Sequence, residues 1–149
     1  GAGERATEPP QPTLGEVPAL VEESRLAGAR VALRIDAPGA EAIPAALGRT
    51  VYRIVQEGLT NARKHAPAAA VDVAVQARDD TLVVSVVSRR PVGVGAPAAG
   101  PLRSPDRPPG AGTGLIGLGE RVALAGGVLE HGPDETGDFV LRATLPWPA

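Results

Sequence analysis

The stretch IVQEGLTNARKHAP, residues 54–67, concentrates residue types that the rest of the chain avoids. Asn61 is the sole Asn, and Lys64 is the sole Lys among 15 Lys and Arg residues. Glu57, Asn61 and His65 recur at i, i+4 and i+8, so on a helix they form one row. A carboxylate and a carboxamide one turn apart offer hard oxygen ligands, the kind Mg²⁺ takes together with water and phosphate oxygens. Lys64 adds a compact positive charge suited to phosphate. An ordinary amphipathic helix accounts for the same spacing, with a surface Glu57–Asn61 hydrogen bond and a His near the helix C-terminus. The residue types favour a site. Asn is poor in mid-helix because its amide competes with the backbone, and a chain that uses Arg almost throughout has no packing reason to keep one Lys.

A second constellation is GAGTGLIGLGERV, Gly110 to Val122. Gly-rich backbone runs straight into a helix start. Glycine lets backbone approach a phosphate closely, and the free N–H groups of a first helical turn point at it with the helix dipole. Glycines in so Gly-rich a chain are equally explained by a flexible loop and a close-packed helix.

The elements that must position these residues follow from periodicity. Residues 1–12 are polar and Pro-rich and read as a linker or frayed end. A helix is expected over Leu14 to Ala27, with Thr13 and Glu16 as a capping box and Gly28 as its stop. Val31 to Ile35 alternates as a half-buried strand does. A long helix runs from Pro44 to Ala66, and Pro67 ends it. On a helical wheel Leu47, Val51, Val55, Gly58, Leu59, Ala62 and Ala66 form its apolar face. The Glu57–Asn61–His65 row follows the boundary, from the polar side at Glu57 to the apolar edge at His65. Strands follow at Val71 to Ala77 and Leu82 to Ser88. Residues 89–113 hold five Gly and six Pro without periodicity, a length of loop that is usually functional or disordered. A helix from near Gly114 puts Leu115, Leu118, Val122 and Ala125 on one stripe, and Gly126-Gly127 stops it. Strands at Val128 to His131 and Phe139 to Leu145 close the chain. The order predicts an α/β fold, a two-layer sandwich in which a mixed sheet carries about three helices on one face.

Bulk properties bound the function. At 149 residues one domain is expected, with a core of Val, Leu, Ile and Ala because Phe, Tyr and Trp occur once each. A net charge of −2 gives no basic surface for nucleic acid. The absence of Cys excludes disulfides and thiolate metal sites and fits a reducing, cytoplasmic setting. No apolar run approaches the roughly 20 residues that span a bilayer. The chain does not begin with Met and reads as a piece of a longer protein, which leaves room for a membrane anchor elsewhere.

The two motifs, in this order and separated by a long loop, resemble one family, the GHKL ATPases of the Bergerat fold. More narrowly, YRIVQEGLTNARKHA and GTGLIGLGERVALAGGVLEHGP followed by GDFVLRATLP look like the catalytic ATP-binding domain of bacterial sensor histidine kinases. The subgroup is the one that pairs with NarL-type response regulators. The resemblance spans residues 13–146 and implies a domain over 13–149 with ATP and Mg²⁺ as cofactors. It implies that Asn61 holds Mg²⁺ on the ATP phosphates and that Glu57 orders water or polarises the reacting groups. Lys64 and His65 then lie beside the phosphates. The glycine segment, with Gly110, Gly112, Thr113, Gly114, Leu115 and Gly117, wraps them, and residues 89–111 form the ATP lid. The sequence departs at the end of the strand over 82–88, where the family has an Asp that accepts a hydrogen bond from adenine, followed by a Gly. Ser88 and Arg90 stand there.

The family's phosphoacceptor His lies on a separate dimerisation domain, and neither His65 nor His131 is placed to serve. The implied partners are that domain and a NarL-type regulator, with this chain monomeric alone and the whole protein a homodimer. Two other readings stand beside the kinase. A degenerate nucleotide-sensing or partner-binding module is favoured by Ser88 and Arg90 and opposed by Glu57 and Asn61. A serine kinase of the anti-sigma type fits the GLGERVALAGG helix and the LP ending less well.

Overall fold

The structure, a computed structural model, describes residues 12–89 and 113–147. The expected lid, apart from Arg89, and all of the expected N-terminal linker except Pro12 lie outside the described residues. A 3₁₀ turn at Leu14–Glu16 leads into α1, Val17–Leu26. The Glu16 carboxylate reaches back to accept the Thr13 backbone N–H at 2.7 Å, so the expected reach-back of the capping box forms. The helix stops at Gly28, whose φ of +104° suits glycine. Strand β1 is Arg30–Asp36, and α2 is Ala45–His65. Pro44 lies outside α2, as its extended cap residue with ψ 143°, a position where its missing N–H costs the helix nothing. Strands β2, Ala70–Arg78, and β3, Thr81–Ser88, follow. Beyond the undescribed residues come α3, Thr113–Leu124, β4, Val128–Pro133, and β5, Phe139–Pro146.

The five strands make one sheet in the order β1-β2-β3-β5-β4. Only β1 and β2 run parallel, as the α2 crossover between them requires, and the other pairs are antiparallel. The expected mixed sheet under three helices is therefore present. Burial alternates along β2 (Val71, Val73, Val75), β3 (Leu82, Val84, Val86) and β5 (Leu141, Ala143, Leu145). The register aligns these into rows, such as Val73–Val86–Leu141. Val17 and Val21 of α1, Val51, Ile54 and Val55 of α2, and Leu115, Leu118 and Val122 of α3 complete the core. Each such side chain contributes about 1.5–3 kcal/mol on full burial, which lets a chain nearly free of aromatics hold together. Trp147 closes one end and donates its backbone N–H to the Asp80 carbonyl at 2.9 Å.

The α2 helix lies unusually close to β3. A Cβ added at Gly58 would come within 2.7 Å of Val86 Cβ and Cγ2. We expect Gly58→Val to lower the unfolding free energy by about 2 kcal/mol, because overpacking costs roughly 1–3 kcal/mol and the regained helix propensity is only a few tenths. Gly119→Ala is the contrast. Its Cβ would make an ordinary 3.8 Å contact with Leu129, so helix propensity should dominate and stabilise by up to about 1 kcal/mol. Urea unfolding of the two variants checks both signs.

Candidate functional site

The buried face of α2 comprises Gly48, Thr50, Val51, Ile54, Val55, Gly58, Leu59, Asn61 and Ala62. Asn61 is therefore inside the buried arc, only 7% exposed, and not on the boundary where the wheel put it. Ile54 and Thr50, left out of the expected apolar face, extend that arc to Asn61's side. His65 departs in the other direction. The wheel sets it at the apolar edge, yet it is exposed because it is the last residue of α2, where cover from the sheet runs out. Glu57 is half-buried and Lys64 exposed.

Three polar residues are buried among the described ones: Thr50, Asn61 and Ser88. Thr50 is satisfied, its hydroxyl donating to the Ala46 carbonyl at 3.2 Å. Asn61 and Ser88 make no side-chain hydrogen bond among the described residues. No side-chain N or O atom there is both sealed from solvent and unpaired. The small residual exposure of Asn61 and Ser88 therefore includes their polar atoms, which face open space. Leaving such a group unpaired costs about 1–3 kcal/mol when it is sealed, so a crevice is the arrangement that tolerates it.

Glu57, one turn before Asn61 on the same side of α2, links the two motifs. A Cβ on Gly114 would fall on the Glu57 carboxylate. The carboxylate thus packs against the first described turn of α3, without a hydrogen bond to it. A side chain at Gly114 would displace that carboxylate, the free end of a flexible side chain. Gly117 meets no such neighbour, since a Cβ there has nothing within 4 Å. Leu115 is a core side chain, 9% exposed, leaving only its backbone to face a ligand. Thr113 opens α3, and Gly110 and Gly112 lie outside the described residues.

Ser88 ends β3 on the helix-facing side, continuing the series Leu82, Val84, Val86. It is paired with Val71, which stands just after the short connection from α2 to β2. That pairing sets Ser88 at the end of the sheet where α2 finishes. Arg89 turns to the other face. Its Nε and Nη2 donate to Asp72 Oδ2 at 2.7 and 2.6 Å, and Asp138 lies 3.7 Å from Nη1. The Asp72 hydrogen bond and charge raise the Arg89 pKa. The Arg89 N–H donates to the Ala70 carbonyl at 2.8 Å, extending the ladder one residue past Ser88. The sequence signal for the Arg89 clamp was Asp72, an acid among the valines of β2.

A cavity of about 340 Å³ opens on the opposite flank of α2, against α1, with Glu23, Gln56, Thr60 and Arg63 among its lining residues. It includes none of Glu57, Asn61, Gly114 or Ser88. No group of three or more His, Asp or Glu residues able to hold a metal occurs among the described residues. Glu57 and Asn61 are the donors that this crevice offers. That set fits Mg²⁺, which uses one or two protein ligands and fills its shell with water and phosphate oxygens.

A five-stranded mixed sheet beneath three helices, the long one facing the start of a Gly-rich helix, is the fold of the histidine kinase catalytic domain within the GHKL group. The comparisons agree with that resemblance. Over 79 residues the chain is 38% identical to the oxygen sensor histidine kinase NreB of Staphylococcus carnosus, covering 53% of this chain and 20% of that protein. Full-length ShkA, solved in complex with AMPPNP, superposes with a TM-score of 0.63 at 21% identity, over 91% of this chain and 29% of its own. The catalytic domain of histidine kinase ThkA, in a nucleotide-free form, gives 0.58 at 16% identity, over 89% and 88%. No protein-family model matches the chain. The chain thus spans about a fifth of its curated relative. No helix among the described residues is long and apolar enough to cross a membrane.

The contact between Glu57 and Gly114 predicts a coupling. Gly114→Ala alone should forfeit the helix propensity it would otherwise gain, by displacing the carboxylate from its place against α3. In a Glu57→Ala background the same change should stabilise by up to about 1 kcal/mol. A double-mutant cycle in thermal or urea unfolding should therefore return an interaction energy of up to about 1 kcal/mol. Additive effects would mean that the carboxylate is not held at that turn.

Proposed function

We propose that this chain is the ATP- and Mg²⁺-binding catalytic domain of a two-component sensor histidine kinase. In this reading residues 13–149 are the domain, 1–12 its linker and 89–111 the lid. The observation that carries it is Asn61, buried and without a protein hydrogen bond among the described residues, one turn from a carboxylate seated on the glycine-led helix α3. A polar side chain kept in that position at a cost is explained by a ligand. Similarity to a sensor histidine kinase, and likeness in fold to a protein solved with AMPPNP, support the same assignment.

The residues divide the work by chemistry. Asn61 would hold Mg²⁺ through its amide oxygen, and Glu57 would order water beside it. When bound, Mg²⁺ supplies neutralisation of the charge on the transferring phosphoryl group. Lys64 and His65, exposed at the end of α2, flank the phosphates. The segment from Gly110 to Gly117, including Gly112, Thr113, Gly114 and Leu115, would wrap them. Ser88 accepts a hydrogen bond from the adenine amino group, directly or through water. The acceptor is a His on a dimerisation domain outside this chain, since His65 belongs to the site and His131 lies in β4. From there the phosphoryl group passes to a response regulator of the NarL type, in the cytoplasm. A second reading, a binding module without catalysis, is favoured by one observation, the neutral Ser88.

Calorimetric titration with ATP and Mg²⁺ tests the proposal. Asn61→Ala should abolish Mg²⁺-dependent nucleotide binding yet move Tm by no more than a few degrees, because it removes no protein hydrogen bond and favours helix. Equal ligand-induced shifts in mutant and parent would remove Asn61 from the metal site. Ser88→Asp should strengthen ATP and ADP binding. A hydrogen bond to a charged group is worth roughly 1.5–3 kcal/mol against about 1 for a neutral one, or about two- to thirty-fold in Kd. GTP should gain nothing, since guanine presents a carbonyl where adenine has its amino group. Arg89 does not blunt the gain, being held by Asp72 on the other face. Equal gains for ATP and GTP would take Ser88 out of the base pocket.

A further inference from the structure

The same crevice carries a consequence for how nucleotide enters, which rests on the proposed function. Glu57 makes no ion pair among the described residues. Lys64 lies on the same side of α2 two turns on, but is exposed. The Glu57 carboxylate lies against Gly114, where a Cβ would be, and makes no hydrogen bond among the described residues. A polyphosphate approaching that turn meets an unpaired charge of its own sign. Repulsion between such close charges is strong because the half-buried site screens it less than water does. Asn61, one turn on from Glu57, is more than nine-tenths buried and has no protein hydrogen bond among the described residues.

We propose that the Glu57 carboxylate, seated on Gly114 at the start of α3, excludes nucleotide that carries no divalent cation. The cation reverses the sign of the encounter, because it is attracted to Glu57 and to the phosphates at once. Metal-free ATP, the more abundant competitor when divalent cations are scarce, is thereby kept from occupying the site unproductively. Glu57 in this role selects the form of the ligand, separately from any part it has in chemistry.

The test is calorimetric titration of ATP into the parent chain and Glu57→Gln, each in Mg²⁺ and in chelator. Gln keeps the shape and removes the charge. The parent should bind at least about a hundred-fold more weakly in chelator. Glu57→Gln should recover about ten-fold or more of that loss, by gaining affinity for metal-free ATP. Lys64→Gln should weaken binding under both conditions and leave the ratio unchanged. If the parent binds equally well in chelator, or if Glu57→Gln only loses affinity in Mg²⁺ without gaining any in chelator, the exclusion is overturned while the ATP site stands. If the parent binds no nucleotide under either condition, the proposed function falls, and the exclusion falls with it. Circular dichroism of both variants, matched to the parent, ensures that the comparison is between folded proteins.

Discussion

How closely α2 can lie on the sheet governs the rest of the structure. Gly58 brings the helix down until its missing side chain would touch Val86. A larger residue there would lift the helix and uncover the polar row that follows. With the helix down, Asn61, one turn on, is carried into the buried arc. Glu57, one residue before Gly58, is left at the rim on the side where α3 begins. Gly114 then answers Glu57 as Gly58 answers Val86. Gly58 seats the helix on the sheet, and Gly114 leaves room for the Glu57 carboxylate where the next helix passes. Gly58 gives up about 1 kcal/mol of helix propensity relative to Ala, which its close approach to Val86 accounts for.

Much of this was legible in the sequence, for physical reasons. Strand residues alternate because one face of the sheet is covered and the other is not, so Val71 to Ala77, Leu82 to Ser88 and Phe139 to Leu145 declared themselves by period alone. Helix ends were marked by Pro44, Gly28 and Gly126. The two motifs stood out because their residue types ran against the composition. What the sequence could not show was depth. A wheel assigns angle and not distance from the helix end, so it placed His65 at the apolar edge though the cover stops before it. It also set Asn61 at the boundary, because leaving out Ile54 narrowed the arc. The meeting of Glu57 with Gly114, separated by more than fifty positions, has no local signature.

The remaining departure concerns charge. Ser88 is 8% exposed at the end of β3, where the resemblance expects an aspartate. A carboxylate buried there without nucleotide would need a counterion. The nearest described guanidinium, on Arg89, points through to the opposite face and is committed to Asp72 and Asp138. An unpaired buried charge is among the costlier things a small domain can carry, while a serine hydroxyl exposed to the crevice costs little. If Ser88 is the base anchor proposed above, it spares the nucleotide-free protein that cost at the expense of base affinity. On that proposal a carboxylate placed there would tighten ATP binding and lower the stability of the unliganded domain together. The two effects share one origin, because the charge that the ligand would satisfy is left without a partner when the ligand departs.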